Sequence, residues 1–303
     1  MNKVVLIGCG NVGMSYAHSL VMGSTKVDEL VLIDINQQKA EGEALDLLHA
    51  SAYASNKMKI YAGKYSDCSN ATIICICAGK NQEAGESRSD LLHKNYGVFK
   101  SIISEVNKTK FKGIYIIATN PLDVMTYITY KLSGFSPSKI IGSGTTLDTA
   151  RLRCLVSEEL GVSKKNIHAY VIGEHGDSEF VAWSSGLVGV NKLENYLNDN
   201  QKAKILYDVR TSAYEIINKK GNTSYGIGMC LLRITEAILD NDNAIMTISA
   251  YDKSNDIYIG MPSIISKNGV KKTLPVVLNQ DEKDKLDKSV NAIKKNIKLL
   301  KFD

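Results

Sequence analysis

The feature that most constrains the fold of this 303-residue chain is a glycine pattern directly after its first apolar run. Residues 4–7 are continuously apolar, and the glycines that follow with the spacing G-x-G-x-x-G are Gly8, Gly10 and Gly13. In a strand–turn–helix unit, the first glycine makes a tight turn, the second lets the backbone approach a pyrophosphate, and the third lets helix pack on strand. The N–H groups at the helix N-terminus, including that of Val12, would face the phosphates. The pattern predicts a dinucleotide site.

An acidic residue, Asp34, follows 21 positions beyond Gly13, at the end of the second apolar run. A carboxylate there would accept hydrogen bonds from the adenosine ribose hydroxyls and repel a 2′-phosphate, which favours NAD over NADP. A structural alternative is that Asp34 caps the helix that starts near Asn36. The glycines upstream favour the cofactor role.

Short apolar runs alternate with helical patterns through the first half of the chain. The predicted strands are residues 4–7, 29–33, 58–61, 71–77, 114–118 and 139–141. Nearly continuous apolar strands separated by helices are typical of a parallel sheet that is covered on both faces. We therefore predict an α/β fold with a doubly wound parallel (Rossmann) sheet in the strand order 3-2-1-4-5-6.

This alternation ends near residue 143, which predicts two domains. Residues 1–143 would form the NAD-binding Rossmann domain, and residues 144–303 an α+β domain for catalysis, substrate binding and oligomerisation. Mixed strands are expected at residues 244–250 and 256–260, with turns at residues 260–262 and 268–269 because Gly, Pro and Asn favour turns.

Composition argues against several other classes of protein. Lys and Arg number 37 against 32 Asp and Glu, a scattered excess of +5 that favours small anionic ligands over nucleic acid. The six cysteines form no C-x-x-C pair and no cluster with histidine, so we expect neither a metal site nor a disulfide framework. The sequence offers no apolar stretch long enough for a signal peptide or a membrane span, so a cytoplasmic location without membrane contact is expected.

Four segments carry polar residues that a plain core would not need. Residues 79–88 and 119–123 follow the fourth and fifth strands, where loops line the ligand crevice of a parallel sheet and glycines allow a lid to close. Asp148 and Arg151 share one helix face, and His175 leaves a strand in a glycine-flanked turn. A surface ion pair and an ordinary turn histidine are the structural alternatives. Together with a dinucleotide fold, these segments indicate hydride-transfer chemistry.

On these motifs the chain resembles the L-lactate/malate dehydrogenase family over essentially its whole length. The resemblance is to the bacterial L-lactate branch that responds to fructose 1,6-bisphosphate, and it implies reversible hydride transfer between NADH and pyruvate to give L-lactate. The segments that carry it are the glycine motif and residues 82–88, 120–123, 142–145, 147–151 and 173–179.

The resemblance implies a role for each charged residue. His175 would donate the proton, with Asp148 fixing its tautomer and stabilising the imidazolium. Arg151 would hold the substrate carboxylate with two parallel hydrogen bonds, and Arg88 would polarise the carbonyl after loop closure. The remaining substrate-binding residues that the family pattern implies are Asn120, Asp123 and Thr223.

Gln82 carries the substrate assignment. By resemblance, malate enzymes have an arginine here that pairs with a second carboxylate, whereas lactate enzymes have glutamine. Gln82 leaves such a carboxylate without a charge partner, and Glu83 repels it, so pyruvate is favoured over oxaloacetate.

Other functions are compatible with parts of this pattern. A malate or branched-chain L-2-hydroxyacid dehydrogenase stays an alternative within the family. A non-catalytic NAD-binding redox sensor would need the glycines but not Arg88, Arg151 and His175 together. An NAD-dependent glycoside hydrolase would need a metal held by Cys and His, for which the sequence shows no cluster.

The resemblance also implies further cofactor contacts and an effector site. Arg153 and His168 match positions that hold fructose 1,6-bisphosphate across a subunit interface in activated relatives, and Tyr170 stands where relatives often have another histidine. Lys80 departs from the small residue that many relatives have, which leaves the role of its side chain open. A homotetramer is implied. The further cofactor contacts are Lys39, Tyr65, Gly79, Lys80, Ser101, Ala118, Thr119, Asn120 and Ser143.

Overall fold

Six parallel strands form the larger part of the main sheet. The computed structural model describes residues 1–80 and 88–300, except for the Arg88 side chain. The strands are β1 (Lys3–Ile7), β2 (Glu29–Ile33), β3 (Lys59–Ala62), β4 (Ile73–Ile76), β5 (Ile114–Ile117) and β6 (Ile140–Gly142). Their spatial order is β3-β2-β1-β4-β5-β6, which confirms the predicted doubly wound order.

Helices cover both faces of this sheet. Alternate residues of β1 enter two different apolar clusters, Val4 and Leu6 on one face and Val5 and Ile7 on the other. The first face is covered by α1 (Asn11–Met22), α2 (Gln37–Ala50) and α7 (Tyr225–Asp240). The second is covered by α3 (Arg88–Lys108), α4 (Leu122–Ser133) and α8 (Gln280–Ile297). Burial on both faces explains why the strands are continuously apolar rather than alternating.

Three antiparallel strands continue the same sheet beyond β6. They are β12 (Ile245–Asp252), β13 (Ile257–Ser266) and β14 (Gly269–Thr273), which bring the sheet to nine strands within the described residues. Ser249 of β12 pairs with Gly142 of β6. The sheet therefore crosses the position near residue 143 where the sequence pattern changes.

One of the two predicted turns is wrong. Residues 260–262 lie inside β13, where Pro262 is in register with Thr247 of β12 and its carbonyl accepts a hydrogen bond from the Leu274 N–H at 2.8 Å. Pairing with neighbouring strands outweighs the local preference of Gly and Pro for turns. The turn before Gly269 is confirmed, because β14 starts there and Gly269 has φ +96°.

The remaining elements bring the functional segments to the carboxyl ends of the parallel strands. None of the helices in the described ranges is both long and apolar enough to cross a bilayer. Two helices, α5 (Thr146–Leu160) and α6 (Asp199–Lys220), pack against each other and enclose a smaller apolar cluster. The short strands are β7 (Ile167–His168), β8 (Val171–Ile172), β9 (Phe180–Val181), β10 (Leu187–Val188) and β11 (Asn191–Lys192).

Candidate active site

Two of the three glycines in the turn after β1 are enclosed by other protein atoms, and the third is open. Gly8 has φ +104°, and a Cβ on it would lie 2.4 Å from the backbone nitrogen of Ala78. A Cβ on Gly13 would lie 2.0 Å from the carbonyl oxygen of Gly8. Around Gly10, by contrast, no atom of the described residues comes within 4 Å of an added Cβ. This open backbone, at the N-terminus of α1, fits the close approach of a pyrophosphate.

Asp34 is held at the edge of this turn. One of its carboxylate oxygens accepts from the Cys9 N–H at 2.7 Å and the other from the Asn36 N–H at 2.9 Å. The N-cap of α2 is Asn36, whose side chain accepts from the Lys39 N–H at 3.1 Å, so the capping alternative for Asp34 is wrong. A fixed, partly buried carboxylate beside the turn fits the adenosine ribose of NAD.

The ends of β4 and β5 form a wall next to the glycine turn. The Thr119 hydroxyl donates to the Ala78 carbonyl at 2.8 Å, and a Cβ on Gly79 would lie 2.5 Å from the Thr119 side chain. The buried Ser143 follows β6 and donates its N–H to Ile117 at 2.9 Å. Ala118 is partly buried and Asn120 exposed at this edge. The other predicted cofactor residues lie on α2 (Lys39), on the turn after β3 (Tyr65), after β4 (Lys80) and on α3 (Ser101).

The buried carboxylate of Asp148 joins the two charged side chains that the sequence singled out. Its Oδ2 lies 2.7 Å from Nδ1 of His175, and its Oδ1 accepts from Nη1 of Arg151 at 2.7 Å. The first turn of α5 positions both Asp148 and Arg151, since residues three apart share a helix face. The His175 side chain is 27% exposed and that of Arg151 13%, so both reach the crevice from a buried base. Because Nδ1 faces Asp148, Nε2 is the ring nitrogen left for a ligand.

The electrostatics of this cluster favour a charged histidine. Burial lowers the pKa of His175, but the carboxylates of Asp148, Glu179 and Asp123, with Asp148 contributing most, together outweigh burial and raise that pKa to about 9. Burial raises the pKa of Asp148, but the charges of His175 and Arg151 bring it below its ordinary value. At neutral pH the cluster therefore holds an imidazolium with a proton to give, beside a guanidinium that can bind a carboxylate.

Comparison with known proteins identifies the family. Residues 2–142 match the model of the lactate/malate dehydrogenase NAD binding domain, and residues 145–302 match that of the lactate/malate dehydrogenase alpha/beta C-terminal domain. The chain belongs to the lactate/malate dehydrogenase family. It is therefore an NAD-dependent oxidoreductase that acts on a 2-hydroxy acid.

Individual relatives match nearly the whole chain. An L-lactate dehydrogenase of Macrococcus caseolyticus is 48% identical over 302 residues, which cover 97% of this chain and 96% of that protein. L-lactate dehydrogenase 2 of Bacillus cereus is 45% identical over 307 residues and 98% of each chain. The crystal structure of a lactate dehydrogenase from a Medee basin deep-sea metagenome library has a TM-score of 0.96 at 44% identity, again with 98% of each chain covered.

In this protein, Asp123 contacts the backbone of His175 and not its ring. It is buried, its Oδ2 accepts from the His175 backbone N–H at 2.8 Å, and its Oδ1 accepts from the Ser249 hydroxyl at 2.5 Å. Burial raises the pKa of Asp123 to about 6. The placement does not support the expected substrate contact of Asp123, because the protein already uses both carboxylate oxygens. Asp123 instead ties the His175 loop to α4.

Asn95 is a site residue that the sequence reasoning missed. It is fully buried on α3, accepts from the Lys80 N–H at 2.7 Å, and donates to the Asn120 carbonyl at 2.9 Å. It thereby joins the loops that follow β4 and β5. The available signal was an amide between Leu92 and Phe99 on the apolar face of α3, a position that a core residue would normally take.

Glu179 is a second site residue that the sequence analysis did not single out, because it appeared there only as the last residue of the segment 173–179. It is 4% exposed, and its Oε2 lies 3.9 Å from Nδ1 of His175. The carboxylates of Asp148 and Glu179 and the His175 ring come within 4.8 Å of one another, a spacing that would also suit a metal ion. Asp148 is already paired with two cationic side chains, however, so the arrangement reads as an ion-pair network.

The structure describes only some of the remaining predicted site residues. Gln82 lies outside the described residues, as does the side chain of Arg88, the first residue of α3. Thr223 is partly buried in the turn between α6 and α7. Arg153 donates from Nε to the Ala169 carbonyl at 3.4 Å, and its guanidinium carbon lies 5.3 Å from the ring centre of Tyr170. His168 is exposed on β7, close in sequence to both of these contacts.

Proposed function

We propose that this enzyme is an L-lactate dehydrogenase, which reduces pyruvate to L-lactate with NADH and catalyses the reverse reaction. The observation that carries the proposal is the buried Asp148, which bonds to His175 and Arg151 at 2.7 Å each. Asp148 thereby holds the proton donor, His175, at a fixed distance from the side chain that would bind a carboxylate, Arg151. A 2-oxo acid has the two matching groups, a carboxylate and, on the next carbon, a ketone oxygen.

The residues of this chain would divide the work as follows. Arg151 binds the substrate carboxylate through paired N–H groups, a geometry that lysine cannot provide. His175 gives the proton on Nε2 to the ketone oxygen, while Asp148 keeps the ring oriented and the imidazolium stable beforehand. Bound NADH supplies the hydride that the carbonyl carbon accepts. In lactate oxidation, neutral His175 takes the hydroxyl proton instead.

Two residues would complete the site from the segment around residues 82–88. We assign carbonyl polarisation to Arg88, since a cation there would stabilise the negative charge that develops on oxygen. Gln82 would set the preference for a monoanionic substrate, because a second carboxylate would be buried without a charge partner. Both assignments rest on the family resemblance of that segment.

A substrate panel tests the activity. NADH oxidation is measured with pyruvate, oxaloacetate and a branched-chain 2-oxo acid, and kcat/KM is expected to be highest for pyruvate. A higher kcat/KM for oxaloacetate would indicate a malate dehydrogenase instead. A higher kcat/KM for the branched acid would indicate a branched-chain L-2-hydroxyacid dehydrogenase. NADH binding without oxidation by any of the three would indicate a redox sensor.

Gln82→Arg tests the specificity assignment. The new guanidinium would pair with the second carboxylate of oxaloacetate, an interaction worth about 1.5–3 kcal/mol, so the ratio of kcat/KM for oxaloacetate over pyruvate should rise roughly ten- to a hundredfold. Gln82→Met is the matched control, because it stays uncharged and should leave oxaloacetate disfavoured. An equal ratio in Gln82→Arg and wild type would contradict the assignment.

We further propose that fructose 1,6-bisphosphate activates the enzyme at Arg153 and His168. In support, Arg153 is held by the Ala169 carbonyl and the Tyr170 ring, and the exposed His168 lies nearby on β7. Cations that repel one another at a symmetric interface would be bridged by a bisphosphate, which would stabilise the active assembly.

Pyruvate saturation with and without the bisphosphate tests this regulation. We expect a KM for pyruvate at least ~5-fold lower with the effector, the lower end of usual allosteric coupling. Arg153→Gln should abolish the response. Arg233→Gln is the matched control, since Arg233 lies on α7 in an exposed pair with Asp242. An unchanged KM in the wild type would refute the activation.

A homotetramer is proposed as the active assembly, with residues 1–143 as the NAD-binding part and 144–303 as the catalytic and oligomerisation part. In support, large apolar side chains are exposed on several helices, among them Leu45 and Leu48 on α2 and Tyr214 on α6. Such side chains are typical of interfaces. Sedimentation velocity should give a tetramer whose population increases with the bisphosphate, whereas a monomer at all concentrations would contradict the proposal.

We also propose a cytoplasmic location. All six cysteines lie in the described ranges and are free thiols there, as expected in a reducing compartment. Cell fractionation should place the enzyme with cytoplasmic markers.

A further inference from the structure

Glu179 is a buried acid that the proposed reaction does not use. It directly precedes β9, its side chain is 5% exposed, and its carboxylate lies 3.9 Å from Nδ1 of His175. The same nitrogen is bonded to Asp148, and the two carboxylates come within 4.8 Å of each other. Two anions this close in a buried site repel each other, so one of them favours its neutral, protonated form.

The contacts of the two acids decide which one holds the proton. Asp148 is bonded at 2.7 Å to both Arg151 and His175, and these two cations stabilise its charge. Glu179 meets His175 only at 3.9 Å. Arg210, on α6, donates to the backbone carbonyl of Glu179. Glu179 is therefore the acid that takes up the proton, and burial, which leads the causes, raises its pKa to about 8.

In the described part of the chain, three further helices each contribute one group to the surroundings of the cluster. Asp123 from α4 faces the backbone of His175, and Arg210 from α6 faces Glu179. These two surrounding groups carry one negative and one positive charge, which balance. Cys230 from α7 feels the charges of Asp148 and Arg151, and burial raises its pKa to about 12, which keeps it neutral. Among the described residues, the charge of the inner cluster is thus set by the four groups Asp148, Arg151, His175 and Glu179.

We propose that Glu179 is a positioning residue that must hold a proton for the enzyme to bind its 2-oxo acid. With Glu179 protonated, Arg151 and His175 stand against the single anion Asp148, and the positive charge that remains matches the substrate carboxylate. With Glu179 ionised, that positive charge is cancelled and a further anion lies in the buried cluster. The inference rests on the proposed proton-donor role of His175, and it adds a second proton to the form of the enzyme that binds substrate.

The dependence of kcat/KM for pyruvate on alkaline pH tests the proposal. The wild type should lose two protons, so log kcat/KM should approach a slope of about −2. Glu179→Gln carries a permanently neutral side chain of nearly the same shape, and its slope should be about −1, because only His175 then titrates. Glu282→Gln is the matched control. It removes another buried carboxylate, which accepts backbone N–H groups of Ser184 and Asn279, and it should keep the wild-type slope.

Proton uptake provides a readout that does not depend on turnover. Oxamate, an unreactive analogue of pyruvate, is titrated by calorimetry into the NADH complex near pH 9 in buffers of different ionisation enthalpy. The wild type should take up more than one proton per oxamate bound, and Glu179→Gln about one at most. Circular dichroism of each variant checks that it is folded.

The two possible failures are distinguishable. Equal slopes and equal proton uptake in the wild type and Glu179→Gln, with pyruvate turned over normally by the wild type, would overturn the role of Glu179 alone. A wild type that binds NADH but does not oxidise it with pyruvate would overturn the proposed function first.

Discussion

At the scale of single residues, two buried carboxylates hold His175, one at its ring and one at its backbone. Asp148 binds the ring at Nδ1, and Asp123 accepts the N–H of the same residue's backbone at 2.8 Å. The two acids differ in their other partners. Asp148 also meets the charged Arg151, whereas Asp123 also meets the neutral hydroxyl of Ser249. Asp148 therefore sets the charge of the His175 ring, and Asp123 fixes the position of the backbone that carries the ring.

The pH dependence of pyruvate reduction follows from this arrangement. Burial opposes the charge on His175, but the neighbouring carboxylates, Asp148 first, raise its pKa to about 9. The kcat/KM for pyruvate should therefore stay high through neutral pH, begin to fall near pH 8 as Glu179 ionises, and fall more steeply as His175 loses its proton near pH 9. In Asp148→Asn the anion is gone, and the midpoint of the decline should move down towards the ordinary histidine pKa of about 6.5. Steady-state rates of NADH oxidation across pH give both midpoints. An unchanged midpoint in Asp148→Asn would contradict the electrostatic role of Asp148.

At the scale of elements, the glycines of the turn after β1 serve two purposes. Two of them allow the protein to pack, and one leaves room for a ligand. Gly8 and Gly13 are required by atoms of the protein, because an added Cβ would collide with Ala78 and with Gly8 itself. Gly10 meets no protein atom within 4 Å in the described part of the chain. One short motif thus contains glycines that are needed for two different reasons.

Two alanine variants separate these reasons. Gly13→Ala should lower the free energy of unfolding by about 1–3 kcal/mol, as is usual when extra volume is forced into a packed site. Gly10→Ala should change stability by less than about 0.5 kcal/mol, as for an open surface position. It should nevertheless raise the Kd for NADH at least ~10-fold, a loss of about 1.4 kcal/mol of binding free energy. Denaturant unfolding and fluorescence titration measure the two effects, and tight NADH binding by Gly10→Ala would refute the pyrophosphate assignment.

The elements also show which parts of the structure could be predicted from sequence. The apolar runs predicted all six parallel strands and their order, because strands buried on both faces need continuous apolar sequence. The turn at residues 260–262 was wrong because Pro262 is held in β13 by partners distant in sequence. The roles of Asn95 and Asp123 could not be foreseen for the same reason, since Asp123 meets a backbone group 52 residues away. Local pattern predicts elements, whereas the partner of a buried polar group depends on the tertiary fold.

At the scale of the whole molecule, the two halves of the chain share one sheet. The junction is close-packed where β6 meets β12, and Gly144 lies directly beyond it with φ +57°. A Cβ on Gly144 would lie 2.3 Å from the backbone nitrogen of Ser249. The segment that carries Asp148 on α5 is thereby fixed against the strand that carries the Ser249 partner of Asp123. The NAD-binding half and the histidine cluster therefore share one close-packed frame.

Gly144→Ala tests this frame. The substitution combines a strained backbone conformation with a backbone clash, so it should lower the free energy of unfolding by at least ~2 kcal/mol. Gly97→Ala is the matched control. Gly97 is exposed within α3, with nothing in the described residues within 4 Å of its Cβ, and alanine there should stabilise by about 0.5–1 kcal/mol. Denaturant unfolding of both variants gives the comparison, and similar stabilities would show that the junction is looser than described.

The central claim is that His175 delivers the proton to a 2-oxo acid, and one measurement tests it most directly. The kcat for pyruvate-dependent NADH oxidation is compared between the wild type and His175→Asn, with the Kd for NADH measured alongside. We predict a fall in kcat of ~10²–10⁴-fold, the usual contribution of a general acid, with NADH affinity essentially kept. A His175→Asn enzyme that turns over pyruvate at near the wild-type rate would contradict the account.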